Sequence, residues 1–205
     1  MFVGCKTKKI LSEHCISGKI MINKPTNSPI RELMQGYSDV LNKLTDREVV
    51  KTRNNPVGDY TEWLVQKAYG GELKGKSTKG YDLVRLEKGA DDRSKCVKYQ
   101  IKGRWLKDDN SNKQLSIIRD LDDNQFDYLI GVLFTNDFDV KGAWKIPHDL
   151  IRKHSYYSER QRGHIVHLRK PIICSDEVIN ITKCLQKAED KSWHSEECDG
   201  GRERD

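Results

Sequence analysis

Apolar positions in the first third of the chain recur at the three- and four-residue spacing of amphipathic helices. The spacing predicts a helix over residues 28–46, with Ser28 as its cap and Pro29 at its first position. It predicts a second helix that Asp59 caps and Gly70 ends. These two helices precede any strand-like pattern.

From residue 82 the apolar and polar positions alternate with a period of two, which is typical of strands. Residues 82–87 and 95–102 form a predicted hairpin. The elements expected after it are a short helix at 115–121, strands at 127–134 and 140–146, a helical turn after Pro147 and a helix at 175–188. This order predicts an α/β fold, in which helices flank a mixed, mostly antiparallel central sheet and a helical extension precedes it.

We expect one domain, because 205 residues fit a single domain of ordinary size and the chain has no internal repeat. The domain is expected over residues 28–188, between a flexible N-terminal arm (1–27) and a disordered tail (189–205). Within it we expect a helical lead-in (28–57), a catalytic core (58–170) and a C-terminal helix (175–188).

Composition argues against a membrane-spanning protein and against a secreted one. No stretch approaches the roughly 18 apolar residues of a membrane span, and the N-terminus lacks the apolar region of a secretory signal. The six cysteines are scattered and form no CxxC pair, so reduced thiols in a cytoplasmic protein are expected. The 37 Lys and Arg outnumber the 31 Asp and Glu, which gives a net charge of +6. That excess suits a polyanionic partner without identifying one.

Four polar residues around the hairpin form a candidate site. Gln100 and Lys102 lie two apart on one strand, so they share one side of the sheet. The hairpin would bring Asp82 close to both. Glu62, in the second helix, falls about 20° from Tyr69 on a helical wheel of about 100° per residue, and could therefore face the sheet.

The order Glu62, Asp82, Gln100-Ile101-Lys102 resembles the PD-(D/E)xK nuclease superfamily, and in particular its restriction-endonuclease-like proteins. The flanking residues Asn-Pro-Val-Gly-Asp-Tyr-Thr-Glu-Trp-Leu (55–64) and Ser-Thr-Lys-Gly-Tyr-Asp (77–82) strengthen the resemblance, which covers about residues 30–170. It implies a restriction-endonuclease-like core and a Mg²⁺-dependent endodeoxyribonuclease, with Mn²⁺ able to substitute. The expected function is that of a type II restriction endonuclease or a related defence or repair nuclease.

The resemblance also implies a role for each residue. Asp82 would be the main metal ligand, Gln100 would contribute its amide oxygen, and Glu62 would bind directly or through water. Lys102 would position the attacking water and stabilise charge on the scissile phosphate. The commonest pattern of that superfamily has Asp or Glu where this chain has Gln100, although glutamine variants occur in it, and a neutral amide should lower metal affinity. Two alternatives therefore stay open: a non-catalytic DNA-binding module that kept the fold, and a regulatory subunit that binds an acidic protein.

Basic and polar residues near the predicted site are candidates for contact with the DNA backbone. They are Lys79, Lys98, Arg104, Lys107, Gln114 and Arg119. The expected partners are double-stranded DNA, a second copy of the chain because cutting both strands calls for two sites, and a cognate DNA methyltransferase. A second basic cluster is either solvated surface or part of a DNA-binding rim, and comprises Arg160, Arg162, Arg169 and Lys170.

Overall fold

A computed structural model describes residues 30–52, 55–75, 80–88, 93–107 and 112–194, with side chains for those from 34 to 190. The described residues up to Asp39 belong to one unit and those from Val40 onwards to another, so the boundary falls inside the first helix. The predicted arm (1–27) lies outside the described residues, as do Ser28 and Pro29.

Five helices and eight strands are present in the described parts of the chain. The helices are α1 (Ile30–Asp46), α2 (Val57–Tyr69), α3 (His148–His154), α4 (Lys170–Ile173) and α5 (Thr182–His194). The strands are β1 (Glu72–Leu73), β2 (Leu83–Lys88), β3 (Ser94–Trp105), β4 (Tyr128–Phe134), β5 (Val140–Pro147), β6 (Tyr156–Ser158), β7 (Gly163–Ile165) and β8 (Ile179–Asn180).

Six of these strands form one central sheet in the order β1-β2-β3-β4-β5-β8. Its pairs are antiparallel except for β3 with β4, which run parallel. The predicted α/β class with a mixed, mostly antiparallel sheet is confirmed. Strands β6 and β7 form a separate antiparallel hairpin.

Strand β4 lies inside the sheet and is apolar along its whole length, because both of its faces are covered. On one face, Ile130 and Val132 pack with Leu64 of α2 and Leu185 of α5. On the other, Leu129 and Leu133 belong to a second apolar cluster that includes α3 and the two chain segments 115–121 and 166–168. The sheet therefore separates two hydrophobic layers.

The predicted helix at 115–121 is wrong. Leu115, Ile118 and Leu121 are all buried, and this three-residue spacing imitates a helix. The backbone is instead extended, since the N–H of Leu115 donates to Val166 O (2.9 Å) and that of Ile118 to His164 O (3.0 Å). A single 3-10 turn follows, and pairing with a distant segment has overridden the local pattern.

The C-terminal helix also differs from the prediction of 175–188. It begins at Thr182, after Asn180 Oδ1 accepts the Thr182 N–H (3.0 Å) and β8 pairs with β5. It continues to His194, so the predicted disordered tail is wrong over 189–194; residues 195–205 lie outside the described chain. The end of α5 is held to the rest of the protein by Glu189, which is buried. Its carboxylate accepts hydrogen bonds from Tyr60 OH (2.9 Å) and Val140 N–H (3.2 Å).

Two further features bear on the expected class of protein. None of the helices in the described chain combines the length and the apolar character needed to cross a bilayer. The cysteines at the described positions 96, 174 and 184 are free thiols.

Candidate active site

Asp82 marks the point at which β2 and β3 separate. Its backbone N–H donates to Tyr99 O (2.8 Å), and the ladder between the strands begins at the pair Leu83–Tyr99. Beyond Tyr99, β3 continues beside β4. The Asp82 carboxylate bridges the fork, since its Oδ2 accepts the N–H of Ile101 (2.7 Å) in place of a strand partner. Its position is therefore fixed by the backbone of β3.

Gln100 and Lys102 lie on the same face of β3 as that carboxylate. Gln100 is 8% exposed, and its side-chain amide donates to Asp82 Oδ2, so the structure brings these two residues together as the hairpin predicts. Lys102 follows two residues later, opposite Gly131 of β4, and is half-buried. Among the described residues it has no ion-pair or hydrogen-bond partner. Its ammonium group is thus available to an anion from outside the protein.

Glu62 approaches the fork from α2, and its side chain is 24% exposed. Burial raises the pKa of its carboxyl group, and the negative charge of Asp82 raises the pKa further. Lys51 opposes this rise, because its Nζ lies 3.3 Å from Glu62 Oε2. The site therefore holds two mutually repelling carboxylates in partly dehydrated surroundings.

Close packing of α2 on β3 sets the position of Glu62. The neighbouring Thr61 is buried and donates its hydroxyl hydrogen bond to Val57 O. It lies against Gly103, where an added Cβ would be only 2.0 Å from Thr61 Oγ1. The absence of a side chain at Gly103 thus allows the helix to approach the strand next to Lys102.

The segment before α2 brings Lys51 to the candidate site, which the sequence did not predict. The helix begins at Val57, so the prediction that Asp59 caps it is wrong. Asp59 Oδ2 instead accepts the backbone N–H groups of Lys51 (2.7 Å) and Thr52 (2.9 Å), which ties the preceding segment to the helix. This tie places Lys51 within reach of Glu62. No local pattern around Lys51 indicates such a role, because the partners are 11 residues apart.

The residues at the fork fit a hard divalent cation in chemical type. Among the described residues, Asp82 Oδ1 and Glu62 Oε1 carry no hydrogen bond, and carboxylate and amide oxygens are the donors that Mg²⁺ prefers. A cation would also offset the repulsion that raises the pKa of Glu62. No group of three His, Cys, Asp or Glu side chains suited to a metal occurs in the described chain, so the third protein oxygen would come from Gln100. That requires the Gln100 amide to turn its oxygen towards the cation.

The proposed DNA-contact residues fall into three groups. Lys98 and Arg104 are exposed on the same face of β3 as Gln100, and Lys98 Nζ lies 5.0 Å from the Tyr81 ring centre. Gln114 pairs with His167 in the extended segment beside Gly131, and Arg119 lies further along it, so neither is on a helix as predicted. Lys107 is exposed after β3, and Lys79 lies outside the described residues.

Comparison with protein-family models finds no match, and a search among curated proteins finds no relative. The assignment of a function therefore depends on the geometry of the fork and on the chemistry of its residues.

Proposed function

We propose that this protein is a divalent-metal-dependent deoxyribonuclease with a restriction-endonuclease-like core. One observation supports this above all: the Asp82 carboxylate and the Gln100 amide meet where two strands separate, with Lys102 on the same face. Glu62 approaches from the adjoining helix, and the order of the four residues is that of the PD-(D/E)xK pattern.

Each residue then has a defined task. Asp82, Glu62 and the Gln100 amide oxygen would hold Mg²⁺, which supplies Lewis-acid stabilisation of phosphoryl charge. Lys102 would orient a water molecule and bind a non-bridging oxygen of the scissile phosphate. The water oxygen would form the new bond to phosphorus and release a proton to solvent, the phosphorus–oxygen ester bond would break, and the leaving alkoxide would take up a proton from solvent water. With double-stranded DNA as substrate, cutting both strands would call for a homodimer.

A second candidate function is metal-free DNA binding on the same fold. It is favoured by the hydrogen bond from the Gln100 amide to Asp82 Oδ2, which links the two side chains without a cation. In this case the exposed Lys98 and Arg104 would bind phosphates, and no bond would be cut.

Plasmid cleavage separates the two candidates. Wild-type protein should nick or cut DNA in Mg²⁺ or Mn²⁺ and not in EDTA. Asp82→Asn and Lys102→Met should each lower the rate at least about 100-fold. Asn at position 82 can still accept the Ile101 N–H, so folding should be retained.

Lys183→Met is the matched control, because Lys183 is an exposed lysine on α5. It should cleave like the wild type. If the wild type shows no cleavage with either metal but binds DNA in EDTA, the binding module replaces the nuclease.

A further inference from the structure

The hairpin formed by β6, its turn and β7 (residues 156–165) carries two exposed aromatic side chains, and we call it the tyrosine hairpin. Tyr156 is 54% exposed and Tyr157 is 51% exposed. Packing in the hydrophobic core does not explain these two rings. They are not buried, and the hairpin is not part of the central sheet. Their exposed faces are available to stack on a ligand.

Each tyrosine is held on its inner side by a histidine, one on β7 and one just after it. Tyr156 stacks on His167, with ring centres 6.2 Å apart and an interplanar angle of 15°. Tyr157 meets His164 edge to face, at 5.4 Å and 71°. Burial and the positive charge of Arg169 lower the pKa of His167, so the ring beneath Tyr156 is a neutral imidazole at physiological pH. Each ring therefore has a histidine on one side, and because consecutive residues of a strand point to opposite faces, the two half-exposed rings lie on opposite faces of the hairpin.

The chain around the tyrosine hairpin is rich in basic residues, and the acid that the structure places beside it is Asp122, 3.8 Å from His164 Nε2. Residues 150–170 contain six Lys and Arg against the single acid Glu159, and all six basic side chains are exposed. In the described chain only Arg152 among the six has a carboxylate partner, Asp122, at 2.9 Å. The six are Arg152, Lys153, Arg160, Arg162, Arg169 and Lys170.

The chain after the hairpin leads directly to the candidate active site. Tyr157 pairs with His164, and four residues later Leu168 packs over Gly131 of β4. Gly131 is the strand partner of Lys102. Four residues span at most about 14 Å, and one side-chain contact and one strand spacing of about 5 Å then separate Leu168 from Lys102. A DNA segment that contacts Lys102 can therefore extend to the tyrosine hairpin.

We infer that the tyrosine hairpin binds unpaired nucleotides of a DNA substrate, with bases stacked on Tyr156 and Tyr157 and phosphates held by the surrounding Lys and Arg. Open aromatic rings within a basic surface are what single strands require, because any base can stack and every phosphate is charged. A closed duplex buries the base faces and would leave the rings without a ligand. The inference rests on the proposed function for the choice of DNA, and it adds that the preferred substrate is a duplex with a single-stranded tail.

Fluorescence anisotropy with the Asp82→Asn variant in Ca²⁺ tests binding without cleavage. The probes are a blunt duplex and the same duplex with a ten-nucleotide tail. The tailed duplex should bind about tenfold more tightly than the blunt one, and Tyr156→Ala with Tyr157→Ala should abolish that difference. The double Phe variant should retain it, because stacking does not need the hydroxyl groups.

Charge is tested with a matched pair of double variants. Lys153→Gln with Arg160→Gln should reduce the salt dependence of binding to the tailed probe by about 1.4 in log–log slope, since each single-strand phosphate contact contributes about 0.7. Lys183→Gln with Lys187→Gln removes the same charge from the exposed side of α5 and should leave that slope unchanged.

Three results would overturn the inference. The Asp82→Asn protein could bind the two probes with equal affinity, or the double Ala variant could keep the preference for the tailed probe. The third is that the α5 control lowers the salt slope as much as Lys153→Gln with Arg160→Gln. Binding is measured independently of cleavage, so these outcomes leave the nuclease proposal standing. Conversely, an inactive metal site would leave the tail preference intact.

Discussion

Gly103→Ala should destabilise the protein by pushing α2 away from β3. The added Cβ would lie 2.0 Å from Thr61 Oγ1, 3.0 Å from Thr61 Cβ and 3.3 Å from Thr61 Cγ2. An ordinary contact begins at 3.4 Å, so the Oγ1 distance must grow by 3.4 − 2.0 = 1.4 Å. Overpacking of this kind costs about 1–3 kcal/mol, and replacing Gly by Ala in a strand returns about 0.5–1 kcal/mol. The expected net loss of unfolding free energy is about 1 kcal/mol, within a range of about 0–2.5 kcal/mol.

Urea denaturation of four proteins tests this reasoning: wild type, Gly103→Ala, Thr61→Ala and the double variant. Removal of Thr61 Oγ1 and Cγ2 leaves only the 3.0 Å contact, so Gly103→Ala should cost less than about 0.5 kcal/mol in the Thr61→Ala background. Gly58→Ala is the matched control, because an added Cβ there meets nothing within 4 Å; it should be neutral or slightly stabilising. Additive effects of Gly103→Ala and Thr61→Ala would refute the proposed contact.

Two further changes test buried carboxylates. Glu189→Ala leaves Tyr60 OH and Val140 N–H without their acceptor and should lower the unfolding free energy by about 1–3 kcal/mol, whereas a tail disordered from residue 189 would show no change. Because burial and the charge of Asp82 raise the pKa of Glu62 in the folded protein, the folded state takes up this proton at a higher pH than the unfolded chain does. Stability is therefore gained as the pH falls through the raised pKa, and the gain is complete once the pH is below 4.5. In EDTA, Glu62→Gln should therefore stabilise the protein by on the order of 1 kcal/mol at pH 7, where repulsion from Asp82 acts, and by less at pH 4; no difference between the two pH values would contradict this.

Local alternation predicted the part of the site that lies on the hairpin. Strands β2 and β3 are close in sequence, and their period-two pattern fixes which side chains share a face. The meeting of Asp82 with Gln100 follows from that pattern. The position of Glu62 on the sheet-facing side of α2 follows from helical periodicity in the same way.

The elements that sequence reasoning missed depend on partners far along the chain. Residues 115–121 have helical spacing, yet they pair with residues about 50 positions later. Glu189 lies in a highly charged segment, but its partner Tyr60 is 129 residues away. Asp59 has the composition of a helix cap and instead binds the backbone eight residues before it. No window of local sequence contains these partners.

Plasmid nicking by wild type and Gln100→Glu across a series of Mg²⁺ concentrations tests the proposed metal site most directly. A carboxylate at position 100 adds a charged ligand beside Asp82, so the variant should reach half-maximal rate at about tenfold lower Mg²⁺ than the wild type. Both rates should saturate with Mg²⁺ and vanish in EDTA. No nicking by either protein at any Mg²⁺ concentration, together with lower stability of Gln100→Glu at every concentration, would show instead that Gln100 serves only to hydrogen-bond Asp82.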